Sequence, residues 1–159
     1  MNSTRAKGMT LTGRAFKDGQ VLRRTCTADG EDISPALRWS QAPADTRSFA
    51  LICRDVSAPG GTFIHWVIYN IPATARGMPE GLPRKKKLTD GSIQGTNDLD
   101  VIGYRGPNPP SGRTHDYHFV LYALDTMLPV ETGLNATRLL ELTNDHVLAT
   151  ARLMGTYRR

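Results

Sequence analysis

The chain has 159 residues, 39% of them hydrophobic and 22% charged, with a formal net charge of +5. Its length and balance describe one ordinary soluble domain, 1–159, that buries roughly two-thirds of its unfolded surface. They leave no room for a membrane-spanning helix, since no apolar run approaches the ~20 residues a bilayer requires.

The N-terminal stretch MNSTRAKGMTLTGRAF lacks the apolar segment of a signal peptide. A cytoplasmic location is expected, with residues 1–9 flexible and Asn135-Ala136-Thr137 a chance match to a glycosylation sequon. Cys26 and Cys53 lie far apart without metal-ligand spacing, so free thiols are expected. The positive charge raises the question of nucleic acid. The one basic cluster, Arg84-Lys85-Lys86-Lys87, sits between Pro83 and the Asp90-Gly91 turn with no interleaved aromatics. It reads as a solvated loop, not a nucleic-acid surface.

In chain order, LTGRAFKDGQVLRR predicts two short strands forming a hairpin around Asp18-Gly19. A turn-rich segment follows, with one strand near 37–39. SFALICRD and HWVIYNI, rich in aromatic and β-branched residues, then predict a strong hairpin around Pro59, Gly60 and Gly61. More than 40 residues of low periodicity come next, too many for a featureless loop in a compact domain. YHFVLYAL predicts a third strong strand, Asn135 caps a helix, and the alternation of Val147, Ala149, Ala151 and Leu153 predicts a final strand. The fold class expected is mostly β, an antiparallel two-sheet β-sandwich with one or two short helices near the C-terminus.

Alternation along the three strong strands makes a specific statement about chemistry. Phe49, Leu51, Cys53 and Asp55 share one face, as do His65, Val67, Tyr69 and Ile71, and His115, Tyr117, Phe119 and Leu121. Each set is apolar except at one end. If the first strand runs antiparallel to the other two in one sheet, Asp55, His65, His115 and Tyr117 gather at one rim. A stiff Gly/Pro loop, Gly103 to Gly112, leads into the third strand and suits a wall beside them. His118 and His146 have no partner in this pattern and read as structural or exposed.

DVSAPGGTFIHWVIYNIPA, QGTNDLDVIGYRGPNPPSGRTHDYHFVLYALD, DGEDISPALRW and HVLATARLMGTYRR resemble the phosphatidylethanolamine-binding protein family. The resemblance runs from about Leu11 to Tyr157 and is strongest to the short bacterial branch labelled Raf kinase inhibitor-like. It implies a β-sandwich with a small anion pocket at one end, lined by Asp55, His65, His115 and Tyr117. Pro59 would shape one loop, and Gly106, Pro109 and Pro110 would form a wall. The implied partner is a small anion or phospho-headgroup, with at most peripheral membrane contact and a homodimeric assembly. Two positions depart from the family pattern: Ser57 stands where a second acid is usual and Asp116 where an arginine is usual. Asp116 is expected to point away from the pocket and to pair with Arg54, Arg105 or Arg113.

The chemistry suits an anion, because imidazoles that protonate near neutral pH and a phenol are donors. No nucleophile with an adjacent base is apparent, so no catalytic residue, metal or cofactor is assigned. Two alternatives stay open at this point. The same His/Asp/Tyr set could perform acid–base chemistry of the isomerase or cyclase type, and two histidines with a carboxylate could hold a metal.

Overall fold

A computed structural model describes residues 8–159. Among these, nine strands and one α-helix form in the order β1 (Thr10–Gly13), β2 (Gln20–Val21), β3 (Leu37–Ser40), β4 (Ser48–Asp55), β5 (Phe63–Pro72), β6 (Gly77–Met78), β7 (Ile93–Gln94), β8 (Thr114–Leu124), α1 (Ala136–Thr143) and β9 (Val147–Arg158). A small sheet has the order β1-β3-β6, and a large one the order β2-β9-β8-β4-β5-β7.

The mostly-β class and the single late helix agree with the sequence reading. The all-antiparallel expectation does not, because β2 pairs parallel to β9, making the large sheet mixed. The hairpin expected around Asp18-Gly19 also fails: β1 pairs with β3 and β2 with β9. Both segments are too short to hold one another: β1 pairs with β3, a strand of its own length, and β2 with the long β9. Leu11 and Leu22 are buried on these partners. The expected flexibility of residues 1–9 falls mainly on positions outside the described residues, but Met9 is buried in the core. The long segment after β5 supplies β6 and β7, which extend one sheet each.

Strand β4 is the centre of the molecule, hydrogen-bonded to β5 on one side and β8 on the other, antiparallel to both. It is buried on both faces, which explains its continuous apolar sequence. Phe49, Leu51 and Cys53 join Phe119, Leu121, Trp66 and the inner face of the small sheet (Leu11, Leu37, Trp39, Met78) in one core. The Trp39 and Phe49 rings meet across the two sheets at 5.3 Å. Each such side chain contributes about 1.5–3 kcal/mol when fully withdrawn from water. Ala50 and Ile52, on the other face, pack in a second cluster with Val67, Tyr69, Leu134 and Leu139. Helix α1 closes that face; Asn135 caps it by accepting the Arg138 N–H at 3.0 Å. Both cysteines are free and buried.

Alternation along β5 departs from the regular pattern. Trp66 and Ile68, not Val67 and Tyr69, face the core shared by the sheets. Cys53 is opposite Trp66 and the next residue, Arg54, is opposite Ile64, so His65 is the extra residue of a β-bulge. Ile64 and Trp66 consequently lie on opposite faces although two residues apart. A bulge redirects a side chain and bends its strand. Here it turns His65 back towards the face that carries Asp55 and Tyr117.

Candidate functional site

The end of β4, the bulge of β5 and the start of β8 bring together Asp55, His65, His115 and Tyr117, which are 4%, 6%, 4% and 0% exposed. His115 Nδ1–H donates to Asp55 Oδ2 at 2.6 Å, and the other carboxylate oxygen, Oδ1, accepts the Ser57 N–H at 2.8 Å. The His65 and Tyr117 rings meet edge-on at 5.4 Å, while those of His115 and Tyr117 stack at 6.4 Å. Phe63 covers His65 from the other side at 5.0 Å.

The loop before β8 fixes His65 through the backbone of Arg105. His65 Nδ1–H donates to the Arg105 carbonyl at 2.6 Å, and the Arg105 N–H donates to the His65 carbonyl at 3.1 Å. The carbonyl released by the bulge is thereby satisfied. With Nδ1 carrying the proton, Nε2 of neutral His65 is an acceptor. Neither His65 nor His115 has a partner for Nε2 among the described residues.

Electrostatics sharpen these roles. Burial lowers the His65 pKa, against the opposing pull of the Arg105 hydrogen bond and Asp55. The sequence reading had these imidazoles protonating near neutral pH; for His65 the desolvation of its site moves that event to lower pH. Burial, then the charge of Asp55, raises the Tyr117 pKa far above the ordinary phenol, so its hydroxyl stays protonated. That hydroxyl is buried and makes no hydrogen bond of ordinary geometry among the described residues, although the Asp55 carboxylate is near enough to add to the shift. Burial likewise raises the Cys53 thiol, leaving it a neutral, inert member of the core.

Gly106 has its place for a clear steric reason. A Cβ there would overlap the Cys26 carbonyl and lie 2.8 Å from Asp32 Oδ1, which accepts the Gly106 N–H at 2.6 Å. Pro109 is buried and Pro110 exposed just ahead of β8, and Pro59 is exposed in the β4–β5 turn. Anchors along this loop include Ala28 N–H to the Pro107 carbonyl at 2.9 Å and Arg159 to Asn108 at 2.6 Å.

Sequence reasoning missed Asp32. Besides Gly106, it faces Arg84 at 3.4 Å and Arg105 at 3.6 Å, and it adopts a positive φ of 59°. Arg84 also donates to the Tyr104 carbonyl at 2.9 Å, so it is a structural member of a cluster that had read as wholly solvated. The signal for Asp32 was only its place in DGEDISP, a turn-rich stretch without periodicity.

The expected ion pair of Asp116 does not form; among the described residues its side chain joins no salt bridge. Register is the reason: His118, not Asp116, lies opposite Arg54. The Asp116 backbone instead closes the end of the ladder, its N–H donating to Ser57 Oγ at 3.0 Å and its carbonyl accepting the Val56 N–H at 3.2 Å. Ser57 thus supplies a neutral contact where the family pattern has charge.

Comparison with known proteins agrees with this architecture. The family model described as phosphatidylethanolamine-binding protein matches residues 12–158. The chain belongs to the phosphatidylethanolamine-binding protein family. A UPF0098 protein of Methanothermobacter thermautotrophicus is 48% identical over 151 residues, covering 95% of this chain and 99% of the relative. Among solved structures of the family, Escherichia coli YbcL superposes with a TM-score of 0.89 at 32% identity, covering 96% of this chain and 99% of YbcL. The homolog CT736 of Chlamydia trachomatis gives 0.88 at 36% identity, covering 97% and 99%. Family relatives therefore come from an archaeon as well as from bacteria. No helix among the described residues is long and apolar enough to cross a membrane.

Proposed function

We propose that this protein binds a small anion, a phosphate monoester or phospholipid headgroup in type, at Asp55, His65, His115 and Tyr117. The observation that carries the reading is the buried, unpartnered Tyr117 hydroxyl beside two imidazoles with unpartnered Nε2 atoms. A buried donor without an acceptor costs about 1–3 kcal/mol, and a ligand oxygen would recover that cost. Because His65 is neutral near pH 7, its Nε2 favours a ligand bearing one proton, such as a phosphate monoanion. The P–O–H of that ligand donates to Nε2 while another oxygen accepts from Tyr117. Metal binding is less well supported, because no three His, Cys, Asp or Glu side chains of the described residues come together as ion ligands.

Calorimetric titration with inorganic phosphate and O-phosphoethanolamine at pH 7.5 and 5.5 tests the reading. Tighter binding at pH 5.5, weakened by Tyr117→Phe, is the expected result; absence of binding at both pH values would overturn it. The sandwich arrangement of the sheets, a cytoplasmic location, at most peripheral membrane contact and a homodimer complete the proposal. For the homodimer the support is family resemblance, and light scattering at micromolar concentration should give twice the chain mass.

A further inference from the structure

The outer face of the small sheet holds a second feature remote in character from the Asp/His/Tyr cluster. Its inner face carries Leu11, Leu37, Trp39 and Met78 into the core, so by alternation Thr12 and Arg38 point outward. Register sets Thr12 beside Arg38, and Arg38 beside Gly77, in one row across three strands. At Gly77 that row has no side chain, and a Cβ there would overlap the Leu37 carbonyl. The gap forms the floor of a groove of ≈ 710 Å³. Arg14, Arg38 and Arg76 line it, and none of its lining residues is acidic.

Arg14 and Arg38 take part in no ion pair among the described residues, and Arg76 spends only Nη1, on the Ala73 and Ala75 carbonyls at 3.4 and 3.3 Å. All three are exposed, so their mutual repulsion is weak in water, but a multiply charged anion would meet all three at once. Their planar forks match phosphate oxygens two at a time. A further cavity of ≈ 350 Å³ shares Gly77 and Met78 with the groove and is lined by Lys85 and Lys87 together with one acid, Asp90.

We propose that this groove binds a small molecule carrying two or more linked phosphates, with Arg14, Arg38 and Arg76 as its ligands. Its volume suits a ligand of that size, and the repeated charge favours a polyphosphate over a lone anion.

Tripolyphosphate is the probe, titrated calorimetrically into the full chain beside orthophosphate. Tripolyphosphate should bind at least tenfold more tightly. Arg38→Gln/Arg76→Gln should weaken it at least tenfold, while Lys17→Gln/Arg152→Gln, which removes the same charge elsewhere, should change it less than twofold. On the unaltered chain, amide resonances of Thr12, Gly13 and Gly77 should shift during the titration and those of His115 and Tyr117 should not, so the test survives a variant that misfolds. Equal affinity of the two probes as followed at Thr12, Gly13 and Gly77, equal effects of the two double variants, or shifts confined to His115 and Tyr117 would overturn the proposal.

Discussion

Asp55 and His115 meet at 2.6 Å on a diagonal of the sheet, since the ladder sets Tyr117, not His115, opposite Asp55. The diagonal leaves Tyr117 beneath the pair with its ring intact in the core and its hydroxyl among polar neighbours. One carboxylate thus orients an imidazole and turns the chain at Ser57, while burial first and the charge of Asp55 second hold the phenol protonated.

Removing that carboxylate should cost stability. Asp55→Ala strands the buried His115 Nδ1–H and frees the N–H of exposed Ser57, and a loss of about 2 kcal/mol is expected from the one unsatisfied buried donor. Asp55→Asn, which still accepts a hydrogen bond, should lose less. Urea unfolding at pH 7.5 measures both.

Tyr117→Phe should behave in the opposite way. The hydroxyl makes no hydrogen bond of ordinary geometry among the described residues, so its removal is expected to leave stability unchanged or raise it by up to about 1 kcal/mol. Anion affinity should fall at least fivefold. A variant that is less stable and binds normally would contradict the role given to this hydroxyl.

The lowered pKa of His65 sets the sign of a pH effect. Its folded-state value lies below the unfolded value of about 6.5, so the unfolded chain binds more protons between the two. The contribution of His65 is complete above pH 6.5 and is lost as pH falls through the folded-state pKa. The stability difference between the native chain and His65→Gln should therefore shrink between pH 7 and pH 5, as followed by thermal unfolding. His118, also lowered mainly by burial, acts in the same direction in both proteins and cancels from the difference.

Gly106→Ala probes the wall without touching the polar cluster. The added methyl collides with backbone at Cys26 and Thr27 and presses on Asp32 Oδ1. Overpacking of this kind costs about 1–3 kcal/mol. Because Arg105 is its neighbour, the variant should also loosen His65, visible as a change in the His65 ring resonances.

What the sequence determined by itself was local chemistry and long apolar elements. Strands β4 and β8 were legible because they run for eight and eleven residues with most positions buried, and Asn135 was legible because a side-chain cap acts within three residues. Asp55, His115 and Tyr117 followed from plain alternation on those two strands. His65 was placed on the right face by alternation that β5 does not obey: Val67 and Tyr69 turn to the helix side, and only the bulge brings His65 back. The pairings of β1 and β2, the parallel edge, the role of Asp32 and the partner of Asp116 were decided in tertiary structure. Short strands and turn residues carry too little burial of their own to choose a neighbour. Their partners are set by which backbone groups and charges the long strands leave unsatisfied.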